Sequence, residues 1–477
     1  MKKLWIVLLS LAMVAAFCMP ASAVDVKFSG SFYVAGDYYS DKLILDEDDQ
    51  STAFIRQRLR LQTEFVVSPG LSLITRFDAL EKQWGDSAWT GSQTDVASRP
   101  AVGPKNFRMD WEDKTKVQEN IEFEQAYIQY MSKIGLWWVG YAPHDFWGTT
   151  FGDSTHSKAL VQWILPINEN WVIGAKYFKS FEGSSTYKDS TNRGVINAND
   201  ADDDAYVFVG MYKNQAIETG LKVAYRRVAD NRDDTPFGLN SALPPNQKMD
   251  GWLLTPYFKG QWGPVKVQAE LEYWNGEVEA EDGYALPDGR DSWDMEFLAA
   301  YLNAEVAFGP AYVGANFIYA SGAGMDDVAD GDLKGSNFSY AFQGCWGGKD
   351  LKQTLILWNQ DVTDWAGDFT GLGPAVMNAF FYQIYGGYKW GDFDFKASLA
   401  YAEVDEEFSL VDGRPYYGED DEIGTELDVT ATYSITNNLK YMVGFGYLWT
   451  GDYFAEKGYD DDVDDIYLLT NKLTLTF

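Results

Sequence analysis

The feature that most constrains this chain is two-residue alternation, repeated from one end to the other. In the last segment Tyr467, Leu469, Asn471, Leu473, Leu475 and Phe477 fall on one face, and Thr470, Lys472, Thr474 and Thr476 on the other. Successive side chains of a strand point to opposite faces, so the segment reads as a strand with one apolar face. Val265, Val267, Ala269, Leu271 and Tyr273 alternate likewise with Lys266, Gln268, Glu270 and Glu272. The same holds for Leu427, Val429, Ala431, Tyr433 and Ile435 against Glu426, Asp428, Thr430, Thr432 and Ser434. It holds again for Leu439, Tyr441, Val443, Phe445, Tyr447 and Trp449 against Lys440, Met442, Gly444 and Gly446. Near the start, Val26, Phe28, Gly30, Phe32 and Val34 oppose Lys27, Ser29, Ser31 and Tyr33. Helical periodicity is scarce. Beyond the N-terminal stretch no apolar run approaches the ~18–20 residues of a membrane helix.

The connections alternate as well. One set is short: SPG at 68–70, SKIG at 132–135, PINEN at 166–170, QWGP at 261–264, GP at 309–310, GGKD at 347–350, GD at 391–392 and NN at 437–438. The other set is long and acidic, as in DEDDQ at 46–50, DADDD at 200–204 and DDDVDD at 460–465. Short turns at one end and long loops at the other describe an up-and-down meander, the pattern of a transmembrane barrel. One initial strand, nine hairpins and one final strand predict 20 strands. The hairpin around 344–358 is the weakest, and assigning it to a loop leaves 18. A soluble sandwich or β-helix would pack Val, Ile and Leu face to face. Here the apolar faces carry Tyr, Phe and Trp near strand ends, as in YLW (447–449) and YKW (388–390), which fits interfacial aromatic girdles. The expected fold class is therefore all-β: a transmembrane antiparallel up-and-down β-barrel of 18–20 strands, spanning 24–477.

The first 23 residues, MKKLWIVLLSLAMVAAFCMPASA, have the basic start, short apolar run and small-residue end of a secretory signal peptide. Of the two cysteines, Cys18 lies within it and Cys345 remains, so no internal disulfide is expected. The formal net charge of −33 excludes nucleic acid as a partner, because phosphates demand Lys and Arg.

Against that charge stands IRQRLRLQTEF at 55–65. Arg56, Arg58 and Arg60 share a face with Gln62 and Glu64, while Ile55, Leu59, Leu61 and Phe65 share the other. An arginine facing lipid near mid-bilayer costs ~2–4 kcal/mol, so the charged face must line a lumen. Across the SPG turn, Ser72, Ile74, Arg76 and Asp78 continue it. Four guanidinium groups crowd one patch of wall and repel unless carboxylates face them. Glu122 and Glu124 on the strand over 120–131 are candidates, as are Asp145 and Asp153 in the loop 143–157. Turning both glutamates inward puts Gln125 and Gln129 outward, which implies a protein interface or a bulge in that strand.

The terminal NKLTLTF, ending on Phe477, resembles the assembly signal of outer-membrane barrels. The run FIRQRLRLQTEFVVSPGLSLITRFDALEKQWG (54–85), with FEQAYI (123–128) and GYAPHDFWGT (140–149), resembles the trimeric porins of Gram-negative bacteria, in particular the major porins of sulfate- and metal-reducing deltaproteobacteria. The resemblance implies a homotrimer of water-filled barrels in the outer membrane. It implies passive diffusion of small hydrophilic solutes and ions, with no cofactor and no catalysis. By the same resemblance Arg56, Arg58, Arg60 and Arg76 form the basic wall of a constriction, Asp78, Glu122 and Glu124 are its acidic counterparts, and 143–157 is the constriction loop. Phe477 would be read by the barrel-assembly machinery. The long loop 82–119 would latch a neighbouring subunit or close over its own barrel.

Other chemistries find little support in the sequence. His144 and His156 fall in the 143–157 loop with no metal-ligand spacing, so no metal site is expected. A barrel hydrolase of the outer-membrane phospholipase kind needs a histidine on the wall rather than in a loop. A transporter with an N-terminal plug has no room before the first strand. The acidic loops lack EF-hand spacing, although divalent cations could bridge them to lipopolysaccharide. The alternative of a different class is a structural or adhesive surface protein anchored by a plugged barrel. Small inward residues such as Ser29, Ser31, Gly444 and Gly446 speak for an unobstructed lumen instead.

Overall fold

The computed structural model describes residues 24–40, 51–84, 121–181, 202–229, 247–280, 289–324, 327, 330–335, 353–359, 372, 375–406, 408–411, 414–417, 420–454 and 464–477. The expected signal peptide, residues 1–23, most of the long loop 82–119 and the GGKD turn lie outside them. In chain order the strands are β1 (Asp25–Tyr39), β2 (Thr52–Ser68), β3 (Leu71–Gln83), β4 (Ile121–Ser132), β5 (Gly135–Asp145), β6 (Ser154–Pro166) and β7 (Trp171–Phe181). They continue with β8 (Asp203–Lys213), β9 (Ile217–Val228), β10 (Gln247–Trp262), β11 (Val265–Ala280), β12 (Ser292–Phe308), β13 (Ala311–Ala320) and β14 (Asp332–Lys334). The last are β15 (Ala379–Trp390), β16 (Phe393–Val404), β17 (Phe408–Val411), β18 (Arg414–Tyr417), β19 (Glu422–Ser434), β20 (Leu439–Thr450) and β21 (Ile466–Thr476).

Eighteen of these form one antiparallel meander, and β21 closes it by pairing with β1 from Ser31↔Thr476 to Tyr39↔Leu468. The chain is thus a closed 18-stranded barrel. Three short strands stand apart: β14 pairs parallel with β12, and β17 with β18 forms a hairpin between β16 and β19. Of the doubtful region 344–358 the described part, 353–358, is a run of bends and turns rather than a strand.

The alternation sorts side chains as the pattern predicts. Ile55, Leu73, Val139, Phe208, Leu271, Ile384, Val443 and Leu473 all face outward and remain exposed. In water so broad an apolar surface would drive association. Around a closed barrel it matches hydrocarbon, and closure leaves no unpaired edge inside the bilayer. Toward the long-loop end the outer face becomes amphipathic. There Tyr177 donates to Asp204 at 2.7 Å, Tyr273 to Glu296 at 2.7 Å and Tyr447 to Asp465 at 2.8 Å. Rings toward the membrane and hydroxyls toward carboxylates suit an interface.

Where the ladder lapses, a local cause is visible, and the in–out alternation runs on through it. Pro256 in β10 has no N–H for the ladder, and the β10–β11 pairing skips from Leu254↔Tyr273 to Tyr257↔Glu270. The residue before it, Thr255, points its carbonyl at Trp147 instead, accepting from the indole N–H at 3.0 Å.

Candidate functional site: the lumen wall and its inward loops

On β1–β4 the inner face is charged. Arg60 forms a two-pronged pair with Asp78, Nε to Oδ1 at 2.7 Å and Nη2 to Oδ2 at 2.6 Å. Parallel N–H···O contacts of this kind fix geometry as well as energy. Arg76 reaches Glu124 at 3.1 Å, and Arg60 lies 3.7 Å from the same carboxylate. Arg58 sits 3.6 Å from Glu81 and 3.9 Å from Asp78. Arg56 is buried with Asp37 at 2.8 Å, and Asp37 also accepts from Thr470 at 2.6 Å. A single ring joins the cations: Tyr33 has Arg56, Arg58 and Lys472 at 5.8, 5.2 and 4.4 Å from its centroid, within cation–π range.

Two β-bulges build this arrangement. Between Gln57↔Lys82 and Leu59↔Ala79, β3 spends two residues, Leu80 and Glu81, against Arg58 alone. Leu80 takes φ +52°, the left-handed conformation of a bulge. The extra residue turns Leu80 outward and sets Glu81 on the lumen side beside Asp78. Between Arg76↔Gln125 and Phe77↔Phe123, β4 likewise carries Glu124 as the extra residue. Glu124 therefore faces inward while Phe123 remains turned out. Gln125 stays inside and donates to Ser157 at 3.2 Å, and Gln129 accepts from the Trp138 indole at 3.0 Å. Of the two alternatives the sequence left for this strand, a protein interface or a bulge, the structure has the bulge, which keeps both glutamines inside. Glu122 pairs across from Asp78 in the ladder and is exposed. Tyr33, Asp37, Glu81 and Lys472 were absent from the sequence candidates. The first and last lie on the polar faces of β1 and β21, but their meeting depends on closure of the barrel.

Two segments leave the wall and enter the lumen. The first, 146–153, crosses from β5–β6 to β10–β12. Glu270 on β11 accepts from the N–H and Oγ1 of Thr149, both at 2.6 Å, and from the N–H of Gly152 at 3.3 Å. Phe151 stacks on Tyr301 at 5.5 Å, and Trp147 meets Tyr257 edge-on at 5.1 Å. Gly148 and Gly152 have to be glycines here, because a Cβ at either would collide with the Glu270 carboxylate. The second, 353–359, is held by Glu426 on β19, which accepts from the N–H groups of Leu355, Ile356 and Leu357 at 2.9, 2.7 and 2.8 Å. Gly444 and Gly446 on β20 do not keep the lumen clear at this point. Their missing side chains make room for Leu355, whose atoms a Cβ there would meet at 3.3 and 3.1 Å.

Neither histidine lies in a loop, contrary to the sequence expectation. His144 is the penultimate residue of β5, buried edge-on against Phe178 at 4.0 Å, and His156 is an exposed residue of β6. The extension of both strands beyond the apolar alternation moved them onto the wall. Asp153 closes the 146–153 turn through its N–H to the Thr149 carbonyl at 3.2 Å. Phe477 extends the seam, exchanging N–H···O contacts with Gly30 at 2.8 and 3.0 Å, with its ring half exposed.

No protein-family model matches the sequence, and no curated protein matches it. Solved structures do. Acinetobacter baumannii OccAB1 aligns with a TM-score of 0.51 at 10% identity, over 94% of this chain and 97% of that one. The outer-membrane protein OpdK of Pseudomonas aeruginosa gives 0.46 at 9%, over 94% and 99% of the chains. A Comamonas acidovorans protein described as an anion-selective porin gives 0.41 at 10%, over 95% and 99%. At these identities the likeness is one of fold, and it rests on OccAB1.

Proposed function

We propose that the protein is an outer-membrane porin, a water-filled channel for passive diffusion of small hydrophilic solutes and ions. One observation carries this most directly: a closed barrel, apolar outside, whose inner wall bears a charged ladder that solvent still reaches. The Arg58 and Arg60 side chains retain 27% and 24% exposure despite their ion pairs. A plugged anchor would have no use for wet, ordered charge on its inner wall. The 146–153 and 353–359 segments narrow the lumen, and the arginine ladder lines part of the passage they leave. Its carboxylates temper its charge, so selectivity follows the balance of the network rather than the count of arginines.

Export by a cleaved leader, recognition of Phe477 by the assembly machinery, contact of the Tyr–carboxylate rim with lipopolysaccharide and assembly as a homotrimer complete the proposal. No cofactor and no enzymatic step belong to it. Planar-bilayer recording under a salt gradient tests it. Stepwise ohmic conductance is expected, with steps in threes for a trimer. Folded protein without any conductance would sink the proposal and favour the surface anchor.

A further inference from the structure

Between β5 and β9 the lumen wall departs from its surroundings. The inward positions of β2–β4 carry Arg, Asp and Glu. Here, with Val139, Val161, Ile173 and Phe208 turned to lipid, the inward positions include Trp138, Ile164, Val172, Val207, Val209 and Met211. These line an open pocket of about 260 Å³. Porin lumens are polar, and apolar surface left in water is unfavourable by ~25 cal/mol per Å². Such a wall needs a purpose.

The pocket lies on the short-turn side of the inward 146–153 segment. Val172 is the second residue of β7, and Met211 is the third from the end of β8. Phe146 and Trp147 form its roof. Trp147 is fixed by Thr255 and Tyr257, whereas Phe146 stands 57% exposed beside the opening. Gln162, Lys176 and Lys222 supply the polar groups of its lining, Lys222 from a buried position. Both cations have partners in the wall: Lys176 donates to the His144 carbonyl, and Lys222 interacts with the Glu270 charge. The pocket therefore offers ring faces and aliphatic walls with hydrogen-bonding groups among them, and no uncompensated charge at its base. A cavity of about 150 Å³ lined by Leu, Ile and Phe takes up benzene, so this one has room for a substituted ring. Edge-to-face contacts with Trp138 and Phe146 would orient it.

We propose that this pocket binds uncharged, single-ring aromatic solutes that carry a hydroxyl group, holding them beneath the inward segment. The proposal uses the porin reading only to bring solute to the site. The test titrates 4-hydroxybenzyl alcohol against single-channel current, each protein normalised to its own unblocked conductance. Saturation-transfer NMR on folded protein in detergent reads the same binding without conduction. Saturable block is expected in the unaltered protein. Val209→Phe, which fills the pocket, should weaken it about tenfold or more, and Met211→Gln, which keeps the volume, should weaken it less. Conductance without saturable binding in either assay overturns the pocket and leaves the channel standing. Binding without conductance does the reverse. Equal affinity in both variants overturns the location. Benzoate binding about tenfold tighter than the alcohol overturns the uncharged class.

Discussion

The wall at β1–β4 and the wall at β11–β19 both place carboxylates in the lumen, and they use them in opposite ways. At β1–β4, Asp37, Asp78, Glu81 and Glu124 face guanidinium groups on neighbouring strands. At Glu270 and Glu426 the partners are backbone N–H groups of segments that come from elsewhere in the chain. The first network depends on strand register and carries charge that solvent senses. The second depends on loop conformation and spends its charge on holding that conformation. Acid in a barrel wall can thus serve selectivity or architecture, and its partner decides which.

That contrast can be broken most visibly on the architectural side. Glu270→Ala leaves the amides of Thr149 and Gly152 without their acceptor, at about 1–3 kcal/mol for each buried group left unsatisfied. The 146–153 segment is expected to detach, seen as a rise in open-channel noise and mean conductance. Gly152→Val should do the same by steric exclusion from the opposite side. A quiet, unchanged pore in both would show that Glu270 holds nothing.

On the ladder side, Asp78→Ala leaves Arg60 to its 3.7 Å contact with Glu124 and loosens Arg58, and the reversal potential in a salt gradient is expected to move toward anions. Arg60→Ala should move it toward cations. If the two substitutions shift it in the same direction, the ladder acts on pore shape rather than charge. Smaller still is Tyr33→Leu, which removes the ring shared by three cations. Tyr33 is buried, and at about 0.5–2 kcal/mol per cation–π contact a fall in thermal unfolding temperature is expected, with selectivity retained. Leu80→Gly should be smallest. It relieves a left-handed leucine, a strain of order 1–2 kcal/mol, against some loss of lipid contact, so both stability and selectivity should stay near those of the unaltered protein.

The strands, their outward faces and the inward arginines were legible because period-2 alternation reports directly which side faces hydrocarbon. The acid that pairs them was only half legible. A bulge adds a residue without any marker in composition, so Glu81 went unnoticed and Glu124 seemed to conflict with Gln125. The segment QTLILW (353–358) misleads in another way. Its β-branched and apolar residues read as strand, yet Ile356 and Leu357 are buried inside the barrel against the β19–β20 wall. Local preference cannot distinguish an apolar stretch that pairs from one that fills space. The Glu270 and Glu426 clasps were invisible for a related reason, since the partners are backbone amides that every residue possesses.

The closing pair, β1 and β21, has a consequence for biogenesis. Thr470 and Lys472 on β21 meet Asp37 and the Tyr33 ring on β1, both inside the lumen. A closure displaced by one residue would send Lys472 into the hydrocarbon, at roughly 2–4 kcal/mol, and would strip Asp37 of its hydroxyl partner. The seam therefore checks its own alignment: the polar contacts that complete the ladder form only when the first and last strands have zipped in register, so a misclosed barrel is marked by its own energetics as unfinished.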